Sequence, residues 1–503
     1  MERETHTTRR GYLRGMAGAG LLAAGTGMIG TASAAEGIPT PWLERASRNG
    51  PDSNRIVDPQ GNQVVLRGVN IADPGRLDNK DMRYHVNAET VTRWALDESE
   101  GWYNRIIRIP CQPGDILNKG YGGAKPGAMG ESDVRAYIED HLRPVVDLCG
   151  EQGAYCIVDY HRHLDSQLLY TNDTLSEELH MFWEIMASEF AEDSHVLFEV
   201  YNEPIAPYPG HNTWGGGVDV ANEDSQAARE TWDTWKQAAQ PWVDTIRENA
   251  PRNLILIGSP RWSQWTYWAP KNEFEGDNLA YTGHVYAHPN LRPLGEYFGT
   301  PAEEVPVFMT EFGYDDEGQD YIKGTTSEEG QQFKQFFEDY PSVHWQVWCF
   351  DTRWQPAMFS GEQGVWTLLG GENYHGKFFK DLLAAKRSED LPLPGTETTP
   401  TTSTETTTPT ETTPTTPTET TPTETTPTTT TGGEPDWPTD ATDPNGDGLY
   451  EDFSGDGSIN FPDVNTFFQH SDTERVSRNT QFYDFTDDGS ITLQDVMALF
   501  QMV

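Results

Sequence analysis

Apolar residues in this chain recur in two patterns. Eight short runs are mostly apolar: Val64–Ile71, Ile106–Cys111, Tyr155–His161, Val196–Glu203, Leu254–Ser259, Leu279–Tyr286, Val305–Gly313 and His344–Phe350. That is the pattern of strands buried on both faces. Longer segments between them, such as Ser132–Cys149, Ser176–Phe190 and Gln226–Asn249, carry apolar residues at helical spacing. Eight buried strands alternating with helices predict an α/β fold, a (β/α)8 TIM barrel. A doubly wound sheet would share the alternation, but no glycine-rich phosphate loop follows the first run.

The pattern stops at Leu391-Pro392-Leu393-Pro394. From there to Thr431 the chain is almost entirely Thr, Pro and Glu, which cannot bury apolar surface and is expected to stay extended. At ~3.1 Å per residue such a spacer reaches roughly 110 Å. Residues 434–503 contain two aligned twelve-residue loops, 32 residues apart. The first offers Asp452, Ser454, Asp456, Ser458, Asn460 and Asp463 around Gly457; the second offers Asp484, Thr486, Asp488, Ser490, Thr492 and Asp495 around Gly489. Hard oxygen ligands at alternate positions around a turn glycine are what Ca²⁺ requires. Apolar helix-like runs follow, Val464–Phe468 and Val496–Met502. The duplicated unit resembles a dockerin, which implies a small α-helical calcium-binding domain and a cohesin-like partner. Positions 10 and 11 of the loops, Phe461-Pro462 and Leu493-Gln494, depart from the Ser-Thr type common in cellulosomal dockerins, so another surface partner stays open.

The other end changes the picture in a different way. Arg9-Arg10 and Leu13, then a small-residue apolar run ending at Ala32-Ser33-Ala34, resemble a twin-arginine signal and predict a secreted, extracellular protein with no transmembrane anchor. The expected organisation is a signal peptide (1–34), a barrel (36–390), a linker (391–433) and the calcium-binding tail (434–503).

The formal net charge is −44, with 10 Lys against 25 Arg. The last seventy residues, with 15 Asp and Glu against 2 Arg, carry −13 of it, so most of the excess lies elsewhere. An acidic, lysine-poor composition resembles that of halophilic archaeal proteins, whose self-repulsion salt screens. It also argues against nucleic acid and anionic membrane as partners. Cys111, Cys149, Cys156 and Cys349 lack metal-ligand spacing and read as buried thiols, with one disulfide left open by the predicted export.

The chemistry lies at the ends of the runs. The fourth ends Asn202-Glu203-Pro204, where Pro204 stops the ladder. The seventh ends Thr310-Glu311-Phe312-Gly313, 108 residues on. N-E-P after one strand and T-E-F-G after another resemble glycoside hydrolase family 5, the retaining cellulases and mannanases built on a TIM barrel. The second run carries Arg108, the third ends Asp159-Tyr160-His161, the sixth holds His284-Val285-Tyr286 and the eighth Trp348, in the family's order.

The resemblance implies that Glu203 is the acid/base and Glu311 the nucleophile, with no cofactor for catalysis. Retention needs carboxyl groups about 5–5.5 Å apart, close enough that one stays protonated as general acid. Asn202 is expected to bind the sugar 2-hydroxyl, Tyr286 to orient Glu311, His284 to orient Glu203, and Arg108 to favour an ionised Glu311. His161 and Trp348 are expected to line the scissile-sugar subsite. Trp214, Trp262, Trp265, Trp268 and Trp354 are either further sugar platforms or core. The expected activity is endo-β-1,4-glucanase on a β-glucan polysaccharide. Endo-β-1,4-mannanase shares every one of these residues, and a non-catalytic carbohydrate-binding or scaffold protein is the alternative outside enzymes.

Overall fold

The computed structural model describes residues 39–80, 84–119, 124–162, 169–208, 225–287, 290–362 and 364–393, with 442, 449–453, 467, 476, 480–485, 491 and 499 in the tail. The chain divides into two compact units near Thr401. Among the described residues no helix is long and apolar enough to cross a membrane.

The first unit is a closed barrel of eight parallel strands: β1 (Arg67–Ile71), β2 (Ile106–Cys111), β3 (Tyr155–Tyr160), β4 (Val196–Glu199), β5 (Ile255–Ile257), β6 (Leu279–Val285), β7 (Val307–Phe312) and β8 (His344–Phe350), with β8 pairing back onto β1. All eight predicted runs are barrel strands, several of them shorter than predicted. Val64 and Val65 hydrogen-bond to Ile56 and Asp390 instead of joining β1. Four residues of the fourth run, Val200 to Glu203, lie beyond the end of β4. Gly68 lets β1 and β2 close, because a Cβ there would sit 1.8 Å from the Ile106 carbonyl oxygen.

Side chains alternate across each strand, and this period of two builds the barrel interior in layers. Ile106, Tyr155, Ile157, Leu197, Leu256, Ala280 and Phe308 point inward and form one apolar cluster with Leu43, Ile56, Val64 and Leu66. The intervening residues, such as Ile107, Cys156, Val158, Phe198 and Met309, belong to the outer core under the helices. Two residues further along the strands the same inward face carries Arg108, Asp159, Glu199 and Thr310, all fully buried. The apolar layer is therefore the floor of a polar one.

Helix Asp173–Phe190 is capped by Asn172, whose side chain accepts the Leu175 N–H, and buries Leu175, Leu179, Phe182, Trp183, Met186 and Phe190 at helical spacing. Helix Gln226–Asn249, bounded as the sequence predicts, buries Trp232, Trp235 and Trp242. The predicted helix Ser132–Cys149 is not continuous. It runs Glu131–Tyr137, passes through a π-turn at Ile138–Leu142, and resumes as Arg143–Glu151. Pro144, which has no N–H for the ladder, sits at the restart. An antiparallel hairpin (Phe359–Glu362 with Val365–Leu368) and a last helix (Gly376–Ala385) follow β8. The four cysteines are buried and unpaired.

In the second unit Phe453, Phe467, Val476, Tyr483 and Leu499 form a small buried cluster. Phe467 and Leu499, one from each predicted apolar run, are helical. Asp452, at position 1 of the first loop, is buried and accepts the Thr442 hydroxyl at 2.5 Å. Asp484 is also described; Ser454, Asp456, Ser458, Asn460, Asp463, Thr486, Asp488, Ser490, Thr492 and Asp495 lie outside the described residues, as do the twin-arginine segment and most of the linker.

Candidate active site

The polar layer is organised by Arg108, on β2. A buried charge is tolerated only when paired and hydrogen-bonded, and this guanidinium uses all five of its N–H groups. Nε donates to Glu199 Oε2 at 2.6 Å, and Nη2 donates to Glu199 Oε1 at 3.0 Å and to Asn202 Oδ1 at 2.7 Å. Nη1 donates to Glu311 Oε1 at 2.7 Å and to Asn70 Oδ1 at 3.0 Å. Asn70 is itself fixed by its amide, which donates to the carbonyls of Thr310, Gln346 and Val347. Asp159 stands 3.0 Å from Arg108 Nη2.

Glu311, near the end of β7, receives donors on both oxygens: Arg108 on Oε1, and the Tyr286 hydroxyl on Oε2 at 2.8 Å. Burial and the charges of Glu311 and Glu203 push the Tyr286 phenol well above its usual range, so it remains a donor. Glu203 lies on the segment beyond β4, and its Oε1 is 3.0 Å from His284 Nδ1. Oxygens of Glu203 and Glu311 lie within 4.8 Å of each other and of His284. The Glu203 side chain is 13% exposed and Glu311 5%, so Glu203 is the more open of the two to solvent.

Burial opposes charge on His284, but Glu311, Glu199 and Glu203 around it push its pKa up to about 10. Arg108 and His284 hold Glu199 low despite its burial. Asp159 goes the other way: burial, with Glu199 and Glu311 nearby, raises it well above the carboxylate range even beside Arg108. Two cations thus face four carboxyl groups.

The segment carrying Glu203 is braced by the turn after β5. Arg261 and Trp262 donate backbone N–H bonds to the carbonyls of Ile205 and Pro204, and the Ser263 hydroxyl donates to the Asn202 carbonyl at 2.7 Å. Arg261, Trp262 and Ser263 hold φ of 55°, 58° and 56°. Left-handed backbone costs a non-glycine residue about 1–2 kcal/mol, and such strain persists where surrounding bonds fix it.

Residues 57–353 match the family described as Cellulase (glycosyl hydrolase family 5). The chain belongs to glycosyl hydrolase family 5. Its relatives include an endoglucanase of Clostridium saccharobutylicum, 24% identical over 319 residues, covering 62% of this chain and 60% of the relative. Endoglucanase N of Pectobacterium atrosepticum is 25% identical over 347 residues, covering 66% of this chain and 65% of the relative. An endoglucanase of Halalkalibacter akibai is 27% identical over 280 residues, 51% of this chain but 30% of its own length. The chain thus spans less than two thirds of the length of these relatives. A solved β-glucanase of Saccharophagus degradans in complex with cellotetraose superposes with a TM-score of 0.51 at 20% identity, over 70% of this chain and 95% of that one, a likeness of fold.

One side of this family 5 site is aromatic. His161, Trp348 and Trp354 have nearly parallel rings: His161 and Trp348 are 5.6 Å apart at 6°, and Trp348 and Trp354 are 5.3 Å apart at 11°. His161 Nδ1 is 2.6 Å from Asp159 Oδ2, and Trp348 Nε1 donates to the Gln355 carbonyl at 3.1 Å. The Arg76 guanidinium lies 4.9 Å from the centroid of the Trp354 ring, paired in turn with Asp115 at 2.8 Å. The two readings left open for the other tryptophans now separate. Trp265 and Trp268 are buried core and Trp262 is half-buried, whereas Trp214 lies outside the described residues. Arg162 is tied to Glu178 in the core.

The structure brings Arg108, Asn202, Glu203, His284, Tyr286 and Glu311 into one hydrogen-bonded set, with His161 and Trp348 beside it. Sequence reasoning missed Glu199, Asn70 and Thr310 and gave Asp159 no role. A signal for Glu199 was present: a carboxylate inside an otherwise apolar buried strand needs a cationic partner, and Arg108 was the matching anomaly two strands away.

Proposed function

We propose that the chain is a secreted, retaining endo-β-1,4-glucanase. The observation that carries this reading is the pair Glu203 and Glu311 at the mouths of β4 and β7, their oxygens within 4.8 Å, the short separation of retaining enzymes. Glu311, clasped only by donors, offers lone pairs and is the nucleophile. Glu203, the more exposed of the two, is the acid/base. In the first step Glu203 gives its proton to the glycosidic oxygen while Glu311 attacks the anomeric carbon, so the C–O bond breaks and a glycosyl ester forms. In the second, ionised Glu203 takes a proton from water, the water oxygen bonds to the anomeric carbon, and Glu311 leaves as carboxylate.

The remaining residues follow. Asn202, its oxygen held by Arg108, turns its NH₂ to the sugar 2-hydroxyl. His161 and Trp348 form the wall and floor of the scissile-sugar subsite. The endoglucanases among the relatives, and the cellotetraose bound by the Saccharophagus β-glucanase, favour β-1,4-glucan over mannan. Reducing-sugar release from carboxymethylcellulose, mannan and mixed-linkage glucan tests the assignment. Release from mannan alone gives the mannanase; release from none of them gives a binding protein.

The tail reads as a dockerin-like calcium domain. Its oxygen-rich loops suit a hard cation, and a buried Asp452 carboxylate at the first ligand position fits such a site. It would tether the enzyme to a cohesin-like or other surface partner. The N-terminal twin arginine supports export, and the −44 charge supports a halophilic protein that loses activity on dialysis into dilute buffer.

A further inference from the structure

We infer that Glu199 is a positioning residue of this site: it grips Arg108 with both oxygens and, through the Thr310 hydroxyl, holds His284 as a fixed cationic donor to Glu203. The inference rests on the reading of Glu203 as acid/base, and it adds a carboxylate that touches neither substrate nor the reacting atoms.

The argument is a proton count along one hydrogen-bonded chain. Glu199 is fully buried, and its Oε1 accepts from Thr310 Oγ1 at 3.2 Å as well as from Arg108. Ionised, it offers only lone pairs, so the single hydroxyl proton of Thr310 points to it. The hydroxyl oxygen then presents a lone pair to His284 Nε2, 2.8 Å away, which must carry a proton to meet it. The opposite ring nitrogen, Nδ1, faces carboxyl oxygens at 3.0 Å (Glu203) and 3.6 Å (Glu311) and is satisfied as a donor too. Both nitrogens protonated is an imidazolium.

The other charged or titratable groups near the ring are Glu199 itself, 3.8 Å from Nε2, Asp159 from β3, Tyr286 on the same segment, and Arg108, whose like charge opposes that of the ring. The upward displacement of His284 and the downward one of Glu199 agree with this chain. The consequence for turnover is that the ring need neither switch tautomer nor change charge while Glu203 alternates between acid and base.

The test is a ¹⁵N NMR titration of His284 in the substrate-free enzyme, its resonance assigned by its loss in His284→Asn. Wild type is expected to stay doubly protonated through neutral pH. Glu199→Gln, which removes the charge, and Thr310→Val, which breaks the chain, lower the midpoint by about one pH unit or more. Thr310→Ser, which keeps the hydroxyl, holds the wild-type midpoint. If Glu199→Gln does not fold, the Val and Ser variants decide between them. An unmoved midpoint in folded Thr310→Val, or an equal fall in Thr310→Ser, overturns the inference. Because the titration requires no turnover, its failure is distinct from a failure of the glucanase reading, which the polysaccharide comparison tests.

Discussion

Replacing Tyr286 by Phe removes one atom from the site and makes a demanding test of the two-step chemistry. The hydroxyl donates to Glu311 Oε2 at 2.8 Å, while Oε1 keeps its Arg108 bond. A hydrogen bond to a charged group contributes about 1.5–3 kcal/mol. At about 1.4 kcal/mol per tenfold, the loss translates to roughly 10- to 150-fold in whichever step forms the carboxylate. That step is the second, in which Glu311 leaves the glycosyl ester as an anion. Tyr286→Phe is therefore expected to slow deglycosylation and accumulate the ester. With an aryl cellobioside carrying a good leaving group, stopped-flow absorbance will show a phenolate burst stoichiometric with enzyme, then a slow steady state. The steady rate will respond to added azide, which attacks the ester without a general base. A folded variant within threefold of wild type and without a burst refutes the reasoning. So does a loss confined to KM, which would make Tyr286 a substrate contact.

Arg108→Met leaves Glu199 and Glu311 buried without their cation, and breaking such a pair from one side costs about 3–5 kcal/mol; urea unfolding of the variant measures it, and a loss below about 1 kcal/mol contradicts the network. His344 accepts the Leu66 N–H on Nδ1 and is held well below its usual pKa by burial and by Arg67, and burial takes His375 down to about 4. Groups depressed in the folded state stabilise it above the unfolded pKa near 6.5 and lose that contribution as pH falls, at about 1.4 kcal/mol per unit for each histidine. Either imidazole found protonated at pH 6 in the folded protein by ¹⁵N NMR counts against this. In the tail, chelation of calcium is expected to unfold residues 434–503, read by circular dichroism of the tail signal. A version truncated after Leu391 keeps its rate on soluble glucan with chelator present; loss of that rate would make the tail part of the enzyme.

The barrel was legible because both-face burial leaves short, mostly apolar runs, and each of the eight corresponds to a strand. Their ends were less so. Val200 and Tyr201 are as buried as strand residues, yet they lie beyond the end of β4 and lead to Glu203. The π-turn at Ile138–Leu142 was hidden because its apolar spacing continues the helical one, although Pro144 marked the place. In the site, residues whose chemistry stands at a strand mouth could be read: Glu203, Glu311, His284 and Tyr286. Of the residues one layer down only Arg108 was read, and the partners that hold it were not. Thr310 is an ordinary strand residue by composition, and only the register shift between β6 and β7 at Gly283 and His284 sets it opposite the imidazole. The left-handed turn at Arg261–Ser263 carries no glycine or asparagine to announce it; the strain is visible only where the bonds that hold it are.

The central claim, cleavage of β-1,4-glucan with retention by Glu203 and Glu311, is tested most directly by following the first minutes of cellopentaose hydrolysis by ¹H NMR, before mutarotation mixes the anomers. The account predicts that the newly formed reducing end appears as the β-anomer and relaxes to the α/β mixture afterwards, with no product from Glu311→Gln. First appearance of the α-anomer, or turnover by Glu311→Gln, would contradict it.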